Sequence, residues 1–356
     1  MANKYYDGTK LLSMTDLNGN KPEIYLCTSN RTGGKTTYFN RLVMNRFFKN
    51  RSKFILLYRY NYELDGVADT FFKDIQGLFF PNYHMKSIKQ AKGLYHDLFI
   101  CDNKIEDDSG EHCGYAIAIN NADQIKKKSH LFSDAQCILF DEFQSENDSY
   151  CSNEVQKFIS IHTSIARGQG EMTRYLPVYM LSNPVSLINP YYTALKISHR
   201  LRSDTKFLKG VGFVLEQGWI ENAADAMKTS AFNTAFEDNK YIAYATQNIY
   251  LNDNYAFIES PSGHSKYLCT IRYMDNDYAI RSYDQQGIVY CDNSADTSFP
   301  YKISVTTDDH RINYVMLANN DLFIASLRKY FEKGCFRFRS LECKEAIMNL
   351  ISHRTF

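Results

Sequence analysis

The stretch 28-TSNRTGGKTT-37 decides how the first half of the chain is read. It follows the apolar run 23-EIYLC-27 and precedes 38-YFNRLVMNRFF-48, in which Leu42, Val43, Arg46 and Phe47 recur at helical spacing. Strand, glycine-containing loop and helix form the setting in which backbone N–H groups converge on phosphate at a helix N-terminus. The phosphate-loop pattern G-x-x-x-x-G-K-[ST] is met at Gly34, Lys35 and Thr36, but its first position holds Ser29. In such a loop Lys35 lies over the β- and γ-phosphates and the Thr36 hydroxyl reaches magnesium. Gly33 and Gly34 leave room for close approach, and Ser29, Asn30, Arg31 and Thr32 complete the nucleotide-binding loop. Ser29 is compatible with this reading if its backbone dihedrals are ordinary, and its hydroxyl is then free to help satisfy the loop.

A second run supports the first. In 137-CILFDEF-143 an apolar strand ends in two carboxylates. An Asp just past a buried strand holds the magnesium shell in nucleotide hydrolases, which assigns Asp141 to metal. Glu142, one residue on, is placed to polarise the attacking water. The bland alternative for 141-DE-142 is a solvated pair at a strand end. A GTPase would carry a base-reading motif such as N-K-x-D, and the sequence has none. The nucleotide read from these motifs is ATP, with Mg²⁺.

Around these motifs apolar runs alternate with helical patterns. Residues 53-KFILLYR-59, 114-GYAIAIN-120 and 175-YLPVYMLSN-183 read as strands, and 152-SNEVQKFISIHTSIAR-167 as a helix. The expected fold class is α/β: a P-loop ATPase domain with an additional catalytic glutamate and a mostly parallel sheet. Ligands of such sheets lie beyond the carboxyl ends of the strands. Asn183 falls at such an end, where it either senses the γ-phosphate or caps the turn before Pro184.

A chain of 356 residues divides into more than one domain. Residues 1–200 read as the ATPase domain and 201–240 as a linker or small helical subdomain. Residues 241–356 read as a second α/β domain, with consecutive strands at 266–274, 277–284 and 287–292 and helices at 319–334 and 341–353. The net charge of +1 gives no global field for nucleic acid, which leaves local basic surfaces as the means of contact. The nine cysteines form no C-x-x-C pair and no zinc spacing, and read as reduced thiols. No signal-peptide pattern and no apolar run of membrane-spanning length are expected.

Three stretches together carry a resemblance: 31-RTGGKT-36, 138-ILFDEF-143 and 181-LSNPVSLINPYY-192. The first 200 residues resemble the DNA-packaging ATPase of phi29-like tailed phages, and the remainder follows in length and order. The resemblance implies an ATP-driven translocase that pumps double-stranded DNA into a procapsid. It implies a homomeric ring of five subunits in the host cytoplasm, at the portal vertex, with packaging RNA as a further partner. It also implies an RNase H-like C-terminal domain without nuclease chemistry. Lys35 and Thr36 match the phosphate-loop lysine and hydroxyl, while Ser29 and Thr32 stand where the family has glycines. Asp141 and Glu142 match the metal-binding and catalytic acids. Arg167 falls at the inter-subunit arginine finger, with Arg174 as its rival. Lys128, within 126-KKKSH-130, matches a lysine acting in trans. Arg59 is either a phosphate-side contact or a structural ion pair.

A motor indifferent to sequence touches phosphates rather than base edges. The cations available for this are Lys126, Lys127, Arg200, Arg202, Lys206 and Lys209. Rival readings are another P-loop motor such as a helicase, and a packaging motor with an active C-terminal nuclease. Two-metal cleavage would draw on Asp275, Asp277, Asp292, Asp308 and Asp309, which sit mainly where aspartate serves turns.

Overall fold

The run before the glycine loop forms β1 (Ile24–Ser29), and all of it except Ile24 is buried. Unbroken burial, rather than alternation, marks a strand covered on both faces. In the computed structural model the described residues are 5–105, 110–147, 149–167, 172–197, 200–201, 205–218, 224–225, 227, 229–236, 255–317 and 321–352. The chain divides into two compact units, one of residues 1–186 with 202–252 and one of 187–201 with 253–356.

The first unit adds β2 (Lys53–Tyr58), β3 (Tyr83–Gln90), β4 (Tyr95–Asp102), β5 (Glu111–Ala118), β6 (Ala135–Asp141), β7 (Val178–Ser182), β8 (Phe207–Lys209) and β9 (Phe213–Gly218). These make one nine-stranded sheet in the order β3-β4-β5-β2-β6-β7-β1-β9-β8. Every pairing from β5 across to β9 is parallel. The edges β3, β4 and β8 are antiparallel additions. Opposite Ser182 of β7 stands Thr28 of β1, and opposite Leu181 stands Asp141 of β6. The carboxyl ends of these three neighbouring strands therefore finish nearly level.

Helices cover the sheet: α1 (Thr9–Leu12), α2 (Lys35–Asn50), α3 (Val67–Phe79), α4 (Ala122–Lys127) and α5 (Glu154–Ile165). The buried stripe of α2 is Phe39, Val43, Met44 and Phe47. That stripe is shifted from the one expected, with Leu42 and Arg46 at its margin. Against it and α3 pack Tyr25, Cys27, Phe54, Leu56, Cys137, Leu139, Tyr179 and Leu181, alternate residues of four strands that share a face. Each Leu and Phe among them contributes about 1.5–3 kcal/mol by leaving water.

The expected linker over 201–240 differs from what forms. Residues 207–209 and 213–218 are strands of the first sheet, with β9 paired to β1 from Ile24↔Phe213 to Ser29↔Gly218. Val214 and Leu215 are fully buried, so the segment belongs to the core. A short helix, Ala231–Ala235, follows. The boundary expected at 241 lies outside the described residues.

The second unit is built on β10 (Lys266–Tyr273), β11 (Asn276–Tyr283), β12 (Ile288–Asp292), β13 (Lys302–Ser304) and β14 (Phe336–Phe338), in the order β13-β10-β11-β12-β14. The expected meander is β10-β11-β12, antiparallel throughout. β13 runs parallel to β10, and β14 parallel to β12. Helices Leu322–Glu332 and Leu341–Ser352 supply Ile324, Leu327, Ala346 and Ile347 to a core with Ile271, Ile280 and Phe338. Among the described residues no helix is long and apolar enough to cross a membrane.

Candidate functional site

The glycine loop connects β1 to α2, and its backbone explains which residues it tolerates. Gly34 has φ +85° and caps α2 without a side-chain hydrogen bond, and no acid lies in the first turn. The first turn of α2 thus has no capping side-chain hydrogen bond and no acid of its own, which suits an anion. Ser29 ends β1 and is absent from the positive-φ residues, so a side chain there is unstrained. Its hydroxyl lies 3.4 Å from the Asn30 carbonyl oxygen. Thr32 has φ 60°, a costly conformation for a β-branched residue. Ser29 and Asn30 are buried, and Arg31 forms an ion pair with Glu146. From outside the motif, Tyr6 N–H donates to the Gly33 carbonyl at 2.8 Å. Its hydroxyl donates to the buried Glu216 of β9 at 2.7 Å.

The motif residues meet at the level ends of β1, β7 and β6. Lys35 Nζ donates to Asn183 Oδ1 at 2.8 Å, just past β7. Thr36 Oγ1 donates to Asp141 Oδ2 at 2.8 Å, at the end of β6. The second Asp141 oxygen accepts the Glu142 N–H at 2.9 Å. Glu142 has φ 57°, so the chain turns sharply where the two acids part. Burial around its carboxyl, then the negative charges of Asp141 and Glu146, raise the Glu142 pKa, although much of the side chain remains exposed. Hydroxyl and carboxylate oxygens side by side match the hard-oxygen preference of Mg²⁺, which binds proteins through one or two carboxylates. Among the described residues no cluster of three or more His, Cys, Asp or Glu could hold a metal.

The turn after Glu142 is fastened by residues that no motif names. Arg59, at the end of β2, pairs with Glu154 at 3.0 Å, and both are buried. Its Nη2 also donates to the carbonyls of Glu142 at 3.2 Å and Phe143 at 2.8 Å. Of the two readings open for Arg59, the geometry matches the structural ion pair. The Phe143 N–H donates to Leu181 O at 3.1 Å. Gln144, also buried, accepts from the N–H groups of Val185 at 3.1 Å and Ser186 at 2.9 Å. Sequence could not reveal Glu154, Gln144, Glu146 or Tyr6, because each acts on a partner distant in the chain. Asn189 caps the helix Pro190–Ala194 by accepting the Tyr192 N–H at 3.0 Å, which accounts for the N-P-Y of the third stretch.

The remaining candidates are dispersed. Arg167 is exposed just past α5, whereas Arg174 is buried and directs Nη2 toward the Ile165 carbonyl at 3.4 Å. A cation there complements the C-terminal end of α5. Lys128 is exposed at the end of α4, Lys127 is exposed, and Lys126 pairs with Asp123 at 2.9 Å. Lys206 and Arg200 are exposed, and Lys209 donates to Thr15 at 3.1 Å. Arg202 lies outside the described residues. In the second unit Asp275 pairs with Arg272 and Arg311, Asp277 with Arg272, and Asp292 with Arg281. Asp309 accepts the N–H groups of Met274 and Asp275, and Asp308 is exposed beside it in a 3₁₀ turn.

Fold and site together define an α/β protein with a glycine-loop site on the carboxyl edge of a largely parallel sheet and a separate C-terminal α/β unit. The profile of the family described as podovirus DNA encapsidation protein (Gp16) matches residues 2–356, and the chain belongs to that family. It is a DNA-packaging motor component of the phi29-like type. It is 25% identical to the DNA packaging protein of Bacillus phage phi29 over 309 residues, 86% of each chain. With that of Bacillus phage B103 it shares 26% over 86% of this chain and 89% of the relative. Its fold matches a chain of the bacteriophage phi29 genome packaging motor assembly with a TM-score of 0.67 and 23% identity, over 98% of this chain and 100% of that one. A chain of the Phi-28 gp11 DNA packaging motor matches over the full length of both, with a TM-score of 0.58 and 16% identity.

Proposed function

We propose that the chain hydrolyses ATP at the carboxyl edge of the nine-stranded sheet and uses the cycle to drive double-stranded DNA into a procapsid. The observation that carries this reading is the meeting of Lys35 with Asn183 and of Thr36 with Asp141, on three adjacent strand ends beside Glu142. The first-turn amides of α2 and Lys35 bind the β- and γ-phosphates. Thr36 and Asp141 hold Mg²⁺, which when bound neutralises charge on the phosphate oxygens. Glu142 orients the attacking water and accepts its proton, and its raised pKa brings it closer to the working pH of a general base. Asn183, beside Lys35, faces the γ-phosphate.

The family resemblance supplies the larger frame. The chain acts as one subunit of a five-membered homomeric ring at the portal vertex, with packaging RNA as a partner, and grips DNA through phosphate contacts. Arg167 serves a neighbouring subunit as the arginine finger, and Lys128 also acts in trans. The exposure of both supports this, as does the burial of Arg174. The second unit is an RNase H-like domain without nuclease activity. Arginines neutralise Asp275, Asp277 and Asp292, and Asp309 is spent on backbone amides.

The test separates the paired acids. Glu142→Gln keeps ATP affinity and loses turnover by about 10²–10⁴. Asp141→Asn also weakens magnesium-dependent ATP binding. Equal loss of affinity in both variants would overturn the division of labour. Wild-type protein with matched procapsids is expected to protect double-stranded DNA from nuclease only when ATP is present. Strand separation without such protection would instead indicate a helicase.

A further inference from the structure

Gln144 follows Glu142 by two residues and touches neither Lys35 nor Thr36 in any contact described above. Yet it is only 3% exposed, and its Oε1 accepts two consecutive backbone N–H groups, those of Val185 and Ser186. Among the described residues its buried Nε2 meets no hydrogen-bond partner. The two donors fix the orientation of the amide, because a flipped NH₂ would face two N–H groups.

The oxygen holds the segment that presents Asn183. The Val185 N–H is shared between Gln144 Oε1 and the Asn183 carbonyl, which lies 2.9 Å away. The Ser182 hydroxyl donates to the same carbonyl at 2.7 Å. Pro184 fixes its own φ between them. Asn183 is thus held from its backbone on both sides, and its Oδ1 points at Lys35 Nζ. On its other side Gln144 is continuous with the turn that carries Glu142, whose carbonyl is clamped by Arg59. One side chain therefore ties the strand end bearing the catalytic acid to the strand end bearing Asn183.

We infer that Gln144 is a positioning residue: it sets Asn183 relative to Glu142, and so acts on turnover rather than on nucleotide affinity. The inference rests on the ATPase reading of this site. Glutamate is the conservative replacement, because it keeps an accepting oxygen for the two N–H groups and removes the side-chain amide donor. Leucine removes the acceptor and leaves both amides to find other partners.

Steady-state ATP hydrolysis by the full-length protein under assembly conditions tests this, with Lys35→Ala as the control for the site itself. Gln144→Leu is expected to lower kcat at least tenfold with KM within threefold of wild type. Gln144→Glu is expected to keep at least a third of wild-type kcat. In an Asn183→Ala background Gln144→Leu should add less than a twofold further loss, because the two act as one unit. Wild-type kcat in Gln144→Leu, multiplicative losses in the double variant, or a loss confined to KM would each overturn the inference. If Gln144→Leu does not fold, Gln144→Glu compared in the Asn183 and Asn183→Ala backgrounds decides instead. A Gln144→Glu effect of more than threefold that persists without Asn183 overturns the inference, and an effect within threefold in the Asn183 background supports it. A wild-type protein no more active than Lys35→Ala would sink the ATPase reading itself, which is a separate outcome.

Discussion

At Ser29, the first position of the loop motif, only a positive φ would demand glycine, and Ser29 has none. The demand falls three and five residues later, where Thr32 and Gly34 both adopt positive φ. The motif's first glycine position therefore differs from the positions where this loop adopts positive φ. Thr32 accepts a conformation that glycine takes without penalty. The same scale governs how the site responds to pH. Glu142 must be ionised to accept a proton, and its pKa is raised first by burial, then by Asp141 and Glu146. Turnover is therefore expected to fall as pH drops, at a higher pH than an ordinary glutamate would give. Glu146→Gln removes one of the raising charges, so the acid limb of the kcat profile should move to lower pH. A limb unmoved by this change, or moved upward, would show that the limb reports a different group.

Between elements, the Arg59–Glu154 pair joins β2 to α5 and both partners are buried, at 7% and 3% exposure. Breaking such a pair leaves an uncompensated buried charge, whereas replacing both partners by apolar groups is often neutral. Arg59→Ala is expected to cost about 3–5 kcal/mol of stability in urea unfolding. The double change Arg59→Met with Glu154→Leu should recover most of that stability. It should not recover ATP turnover, because the carbonyls of Glu142 and Phe143 lose their donor. Full recovery of turnover would mean that the pair does no more than hold α5. No local pattern announces a pair separated by 95 residues. The same limit governs the strands. Those of continuous apolar character, β1, β2, β6 and β7, were legible because burial on both faces writes itself into every residue. The hairpin β3–β4 was not, since β3 is an edge strand with few buried positions and with lysines at 86 and 89. β9 was missed because its partner β1 lies about 190 residues upstream, and only that pairing turns an apparent linker into core. Likewise the site's motif acids and lysine were readable, while Gln144 and Arg59 took their meaning from contacts.

For the whole molecule, the proposed ring makes each ATP site depend on two subunits. Arg167 is exposed beyond α5, whereas Arg174 is buried with its guanidinium turned toward the end of the same helix. A side chain that must reach a neighbour has to be exposed, which favours Arg167. A guanidinium on the transferring phosphoryl group is worth roughly 10³–10⁵ in rate where it is fully used. Arg167→Ala is therefore expected to bind ATP nearly as wild type does and to turn over very little. Arg174→Ala, which leaves the α5 carboxyl end without its cation, should instead lower stability. Mixing distinguishes action within a subunit from action between subunits. Rings of Arg167→Ala alone or of Glu142→Gln alone should be inactive. Rings assembled from both, on procapsids with DNA, should regain part of the ATPase rate. In them a subunit with intact Glu142 receives Arg167 from its Glu142→Gln neighbour. Recovery only in mixtures of Arg174→Ala with Glu142→Gln would make Arg174 the finger. A monomer that hydrolyses ATP at the assembled rate, and loses that rate on Arg167→Ala, would place the arginine in its own site, and the dependence between subunits would fail.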